Sequence, residues 1–228
     1  MSELGQKGEQ RYLAVIGDLQ RSREDPDRAR TQSRLERALE SLNGRLSAEI
    51  LESSFIITLG DEFQGLLNIP GKVFEVITEI DRHLEGRPLR YGLGWGRLST
   101  ERREQALGMD GPCFHHAREA MTLAKSEELR VFVRGFGDES DGVLNSFLAL
   151  IDGVRGRWKP AQEETVRLMR MSKLQREVAA QRGVSTSVIS ETLKSAQYRQ
   201  ILWAESAMAV LMNQYAGLVE IPEWREKP

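Results

Sequence analysis

Phe55–Leu67 reads FIITLGDEFQGLL. Two apolar runs, Phe55–Leu59 and Phe63–Leu67, flank Gly60-Asp61-Glu62, the pattern of a β-hairpin closed by a Gly/Asp turn. Upstream, Tyr12–Gly17 (YLAVIG) has the length of a buried strand. Pro26 can open a helix at its first turn, and Leu35, Leu39, Leu42 and Leu46 then recur at helical spacing through Ala48. Downstream, Pro70 starts a helix with Val73, Ile77, Ile80 and Leu84 on one face. Leu89–Gly96 (LRYGLGWG) reads as a strand, Gly111–Lys125 as a helix and Leu129–Arg134 (LRVFVR) as an alternating strand.

The order is β-α-β-β-α-β with a further helix and strand, the split βαβ pattern called ferredoxin-like. The fold class expected is therefore α+β, with the sheet in residues 11–137 behind a disordered segment at 1–10. Strand signals stop near Ser140. A connecting helix is expected over 138–158, with Leu144, Phe147, Leu148, Ile151 and Val154 along one side. Trp158-Lys-Pro160 interrupts it, and 159–228 reads as an all-α domain carrying a helix-turn-helix and a C-terminal helix.

Composition bounds the function classes. The chain has 228 residues, 40% hydrophobic and 29% charged, ordinary for a soluble globular protein. No apolar run approaches the roughly 18 residues of a membrane span, and the polar N-terminus lacks a signal-peptide core. The single cysteine, Cys113, excludes an intramolecular disulfide and a cysteine-based zinc site. These features point to the cytoplasm and to no membrane partner. The net charge of −2 is uneven: Arg155–Trp203 holds ten Lys or Arg against four Glu, a net +6, whereas residues 1–154 come to −6. An acidic domain joined to a basic nucleic-acid reader would show this asymmetry, and so would a solvated helix face.

Ser172–Ser195 reads SKLQREVAAQRGVSTSVISETLKS. A first helix over about Leu174–Gln181 would turn Val178 and Ala179 inward. Gly183 supplies the positive φ of a sharp turn. Val184 is expected to fill the space between the helices. Ser185 is a natural N-cap for a second helix buried through Val188, Ile189 and Leu193. A tight pair of this kind places its second helix in the major groove of double-stranded DNA. The expected contacts are Ser185, Thr186, Ser187, Ser190 and Lys194, with Arg176 and Arg182 near the phosphates. The alternative is a helical hairpin used only for packing. Gln197–Tyr215 forms a last helix, for packing or for a homodimer, which would suit paired half-sites.

Asp18 ends the first strand, and Asp61 and Glu62 sit at the hairpin tip. A split βαβ sheet puts the first strand beside the hairpin, so these carboxylates can converge. Oxygen-only donors suit Mg2+ and its bound phosphates, although Asp and Gly are also common turn residues. Arg21 and Ser22, just beyond Asp18, and Arg118 could meet a nucleotide phosphate. His115, His116 and Cys113 make a poor metal set, because adjacent helical histidines diverge by about 100°. Gly92-x-Gly94-x-Gly96 lacks a dinucleotide spacing and suits close backbone approach or a bulge.

The segments VIGDLQRSR, ITLGDEFQGLL, RYGLGWGRLST, DGPCFHHAREA and W-K-P-A-Q resemble, in order, the SatD family of bacterial proteins. That resemblance implies a cytoplasmic protein with a DNA-binding C-terminus. The N-terminal part is also similar to the nucleotidyl cyclase superfamily, which includes class III adenylate cyclases and GGDEF-type diguanylate cyclases. This second resemblance implies metal-binding roles for Asp18 and Asp61. Ile57 stands where cyclases commonly carry a base-reading lysine. Aligning Gly111 and Ala117 on the cyclase helix puts His115 at its asparagine and Glu119 at its arginine, the wrong charge for a phosphate. Three readings follow: a regulator with a degenerate cyclase-like sensory or dimerisation domain, a Mg2+-dependent nucleotidyl-transfer enzyme acting on a nucleoside triphosphate, or a protein-binding scaffold.

Overall fold

Strand β1 (Arg11–Leu19) is buried along nearly its whole length, so both of its faces must be covered. In the computed structural model, which describes residues 10–20, 25–84, 86–172 and 174–218, it is the middle strand of a five-stranded sheet. The expectations for residues 1–10, apart from Gln10, and for Arg21 and Ser22 lie outside the described residues. Helix α1 (Arg28–Arg45) follows, then the hairpin β2 (Leu51–Leu59) and β3 (Glu62–Leu67). A 3-10 turn at Pro70–Lys72 leads into α2 (Val73–His83), β4 (Leu89–Arg97), α3 (Pro112–Ser126) and β5 (Val131–Arg134). The rest is helical: α4 (Asp138–Arg155), α5 (Pro160–Ser172), α6 (Gln175–Arg182), α7 (Thr186–Ser195) and α8 (Tyr198–Tyr215).

The strands lie in the order β2-β3-β1-β4-β5, antiparallel except for the parallel β4–β5 pair. Each outer strand is closed by an asparagine. On α1, Asn43 accepts from the Phe55 amide at 2.8 Å and donates to the Phe55 carbonyl at 2.9 Å. On α4, Asn145 does the same for Val133, at 2.8 and 2.9 Å. Unpaired edge groups are thus satisfied by side chains at both ends of the sheet.

Side-chain alternation along β1 divides the protein into two layers. Leu13, Val15 and Leu19 face a main core built with α1, α2, α4 and α8. Tyr12, Ala14 and Ile16 face a smaller core covered by α3. The glycines of β4 let α3 approach: a Cβ on Gly94 would stand 2.1 Å from the Cys113 carbonyl oxygen and 2.2 Å from the Ala117 nitrogen. Close backbone approach, rather than a bulge, is therefore the reason for them. A third core joins α5, α6 and α7 through Val166, Leu168, Val178, Ala179, Ile189 and Leu193.

Two expectations need correction here. Phe147 does not share the buried side of α4; Leu144, Leu148 and Ile151 do, while Phe147 stays partly in solvent. Helix α8 is not confined to the C-terminal helices, although Tyr198 packs on their core and Glu205 pairs with Arg170 of α5. Ile201, Met208 and Met212 enter the main core, and Asn213 accepts from the Gly71 amide at 2.8 Å. The segment 159–228 thus contributes to two cores.

Candidate functional site

Helices α6 and α7 meet across three residues. Gly183 has φ 65° and ψ 33°, the left-handed cap that ends a helix without Cβ strain. The Val184 amide donates back to the Ala179 carbonyl at 3.0 Å. Ser185 adopts an extended backbone and its hydroxyl accepts from the Val188 amide at 3.4 Å, which starts α7. Ile189 and Leu193 then fall one turn apart and both face α5 and α6.

Two valines depart from expectation. Val184 is 37% exposed and does not fill the inter-helix space; Val188 is 48% exposed. Helical rotation explains the second. With Ile189 and Leu193 defining the buried stripe, Val188 lies about 100° away from it. Thr186, Ser187, Ser190, Glu191 and Lys194 are exposed around the same outward surface. Among the described residues no hydrogen bond or ion pair engages the side chains of Thr186, Ser187, Ser190 or Lys194. Arg176 is likewise exposed on α6.

Arg182 belongs elsewhere. Its side chain is 17% exposed, forms an ion pair with Glu164 at 3.4 Å and donates to the Ala161 carbonyl at 3.1 Å and to the Thr165 hydroxyl. It fastens α6 to α5 rather than standing at an open surface. The basic segment is divided in the same way. Arg170 is bound by Glu205 at 2.8 Å and Arg199 lies 4.8 Å from the Trp203 ring centroid, a cation–π contact.

Of the three predicted acids, the sheet brings Asp18 and Glu62 together and leaves Asp61 apart. Asp18 and Glu62 are register partners on β1 and β3, under α3. Lys125 reaches Asp18 at 2.8 Å, and Arg118 stands 3.9 Å from Glu62. Asp61 instead borders a small cleft with Asp25, Arg28 and Thr31 on the α1 side. Among the described residues no group of three or more His, Cys, Asp or Glu is placed to hold a metal. As placed, Asp18 and Glu62 each make an ion pair with a cation of α3. Lys125 was not anticipated; its seven-residue spacing from Arg118, two turns along α3, is the signal that could have found it.

Cyclase-like positions on α3 have local partners. His115 bonds Asp110 at 2.8 Å, and Glu119 pairs with Arg134 at 2.8 Å. His116 meets the Trp95 carbonyl at 2.8 Å. The Cys113 thiol is buried, and burial pushes its pKa up to about 12.

Among the described residues no helix is long and apolar enough to cross a membrane. No curated protein matches the chain. The crystal structure of a regulator of polyketide synthase expression from Bifidobacterium adolescentis aligns with 94% of this chain and 83% of its own, at 15% identity and a TM-score of 0.28. That similarity is too loose to carry an argument about mechanism. The SatD family model, by contrast, matches residues 12–212, and the chain belongs to the SatD family.

Proposed function

We propose that this chain is a DNA-binding regulator in which α6 and α7 form a helix-turn-helix and α7 reads duplex DNA. The carrying observation is the outward face of α7, where Thr186, Ser187, Ser190 and Lys194 stand exposed and unengaged on a helix whose opposite side is fixed by Ile189 and Leu193. Hydroxyls can meet base edges or phosphates, and Lys194 neutralises a phosphate. Val188 adds an exposed apolar group suited to a thymine methyl. Ser185 serves as the cap, and Arg176 is an exposed cation of α6.

The strand order β2-β3-β1-β4 supports a split βαβ, ferredoxin-like reading of the sheet, with β5 added outside β4. In this reading the sheet unit senses or dimerises. Nucleotidyl transfer has less support, because Lys125 and Arg118 already hold Asp18 and Glu62 and Asp61 stands apart.

The test is fluorescence anisotropy with duplex from the protein's own upstream region at two salt concentrations. Lys194→Ala should weaken binding to all sequences alike and lower the salt slope by about 1. Ser190→Ala should relax sequence preference. Binding that is insensitive to salt, or unchanged in an Arg176→Ala, Lys194→Ala double variant, overturns the reading. Arg182→Ala is no substitute, since it would loosen α6 from α5.

A further inference from the structure

A cavity of about 510 Å3 opens between the sheet unit and the C-terminal helices, within the size range of small-molecule sites. Its walls come from α2, the start of β4, the end of α4 and α5. Six arginines line it: Arg82, Arg87, Arg130, Arg155, Arg167 and Arg170. Four of them have carboxylate partners. Arg82 pairs with Glu79 at 2.6 Å, Arg87 with Asp25 at 2.9 Å, Arg130 with Asp81, and Arg170 with Glu205 at 2.8 Å.

Arg155 and Arg167 differ. No described carboxylate lies within ion-pair distance of either. Arg155 stands 5.7 Å from the Trp158 ring centroid, and Arg167 reaches only the Met171 sulfur, at 3.6 Å. The acids on the same walls are Asp81, Glu163 and Glu164; Asp81 is held by Arg130 and Glu164 by Arg182, which leaves Glu163 on the solvent side. The Nε of Arg170 is buried without a partner.

Burial first, and then the nearby Arg130 and Arg170, push the Arg155 pKa down to about 10. A guanidinium does not give up its proton in a protein. Glu205 and Asp81 offset that crowding only in part, so an anion beside Arg155 would favour its charge. Guanidinium forks match phosphate oxygens in pairs.

We propose that this cavity binds a phosphorylated small molecule of up to mononucleotide size, with Arg155 and Arg167 as its principal cations. The site is separate from the Asp18–Glu62 face. It touches α5, whose Glu164 and Thr165 hold Arg182 of α6, so an occupant would lie one contact from the proposed DNA-reading pair. That coupling rests on the reading above; the binding itself does not.

The test uses the full chain in thermal melts at constant ionic strength, with pyrophosphate, AMP, ATP and ribose 5-phosphate as probes and sodium chloride as control. At least one phosphate should raise Tm saturably, by about 5 °C near 100 times its Kd. A shift with AMP or ATP but not ribose 5-phosphate would identify a nucleotide, and equal shifts a phosphate ester in general; both support the site. Arg155→Met should lose the shift while its own Tm holds or rises, because a desolvated charge with no carboxylate in ion-pair distance is gone. Arg167→Gln, nearer the surface, should weaken binding about tenfold and covers the case in which Arg155→Met fails to fold. No probe moving Tm beyond chloride, or both variants keeping the full shift, overturns the proposal. DNA affinity is read separately by anisotropy, so the failure of one proposal does not carry the other.

Discussion

The sheet face under α3 and the outward face of α7 were both marked by polar motifs, and the structure treats them in opposite ways. Under α3 the charges are matched: Asp18 by Lys125 at 2.8 Å and Glu62 by Arg118 at 3.9 Å, on a helix seated directly against glycines. On α7 the side chains of Thr186, Ser187, Ser190 and Lys194 face water, with no hydrogen bond or ion pair to them among the described residues. The first surface is the partly solvated rim of a sheet–helix interface, its acids already paired with cations of α3. The second is open, on a helix anchored from behind. A motif names the chemistry available at a position, but the packing around it decides whether that chemistry is free to act on a ligand.

The strongest way to break this contrast is to force α3 off the sheet. Gly94→Val would put methyl groups where even a Cβ lies 2.1 Å from the Cys113 carbonyl oxygen, a backbone atom that cannot swing aside. Overpacking costs about 1–3 kcal/mol when side chains can adjust, and more when backbone must move. The variant should be insoluble or melt well below the wild type. A Gly94→Val protein with normal Tm would mean that α3 is not seated as tightly as described.

A smaller effect is expected from Cys113, buried on the same helix. Its folded pKa is raised from 9.0 to about 12, mainly by burial. The unfolded thiol ionises near pH 9 while the folded thiol keeps its proton. The stabilising difference is therefore present below pH 9 and is lost as pH rises from 9 toward 12. The slope contributed is at most about 1.4 kcal/mol per pH unit. Between pH 9 and 10, before most tyrosine ionisation, denaturant titrations of Cys113→Ala should show a flatter fall than the wild type. Identical slopes would mean that the thiol is reachable by water and the α3 interface is not closed.

Much of the fold is legible because its decisive signals are local. The hairpin at Gly60-Asp61, the Gly183 turn and the Ser185 cap each depend on a few adjacent residues, and each forms where the spacing places it; the helix expected to open on Pro26 starts instead at Arg28, behind the Asp27 cap. What was not legible depends on distant partners. Asn43 and Asn145 look like ordinary polar helix residues until they close the sheet edges. Arg182 reads as a free cation of a basic segment until Glu164 and Thr165 claim it. The return of α8 to the main core has no local signature either, since Ile201, Met208 and Met212 would suit any amphipathic contact. On α7 the exposure of Thr186, Ser187, Ser190 and Lys194 was legible because it needs no distant partner, although Val188 was expected inside and stands exposed; the Asp18 pair needed α3 to be placed first.

The smallest expected effect is at that pair, and it sharpens the contrast most directly. The Asp18 carboxylate is 23% exposed and Lys125 50% exposed, so their attraction is screened by solvent. A double-mutant cycle with Asp18→Asn and Lys125→Met should give a coupling of about 0–1 kcal/mol in denaturant titrations. Adding Mg2+ at constant ionic strength should leave the wild-type and Asp18→Asn melting temperatures equally unmoved, because Lys125 already pairs with the Asp18 carboxylate at 2.8 Å. If instead Mg2+ stabilised the wild type and lost that effect in Asp18→Asn, the lysine would be a placeholder that a metal displaces. The α3 face would then be an open site like α7, and the distinction between the two surfaces would fail at the residue on which it rests.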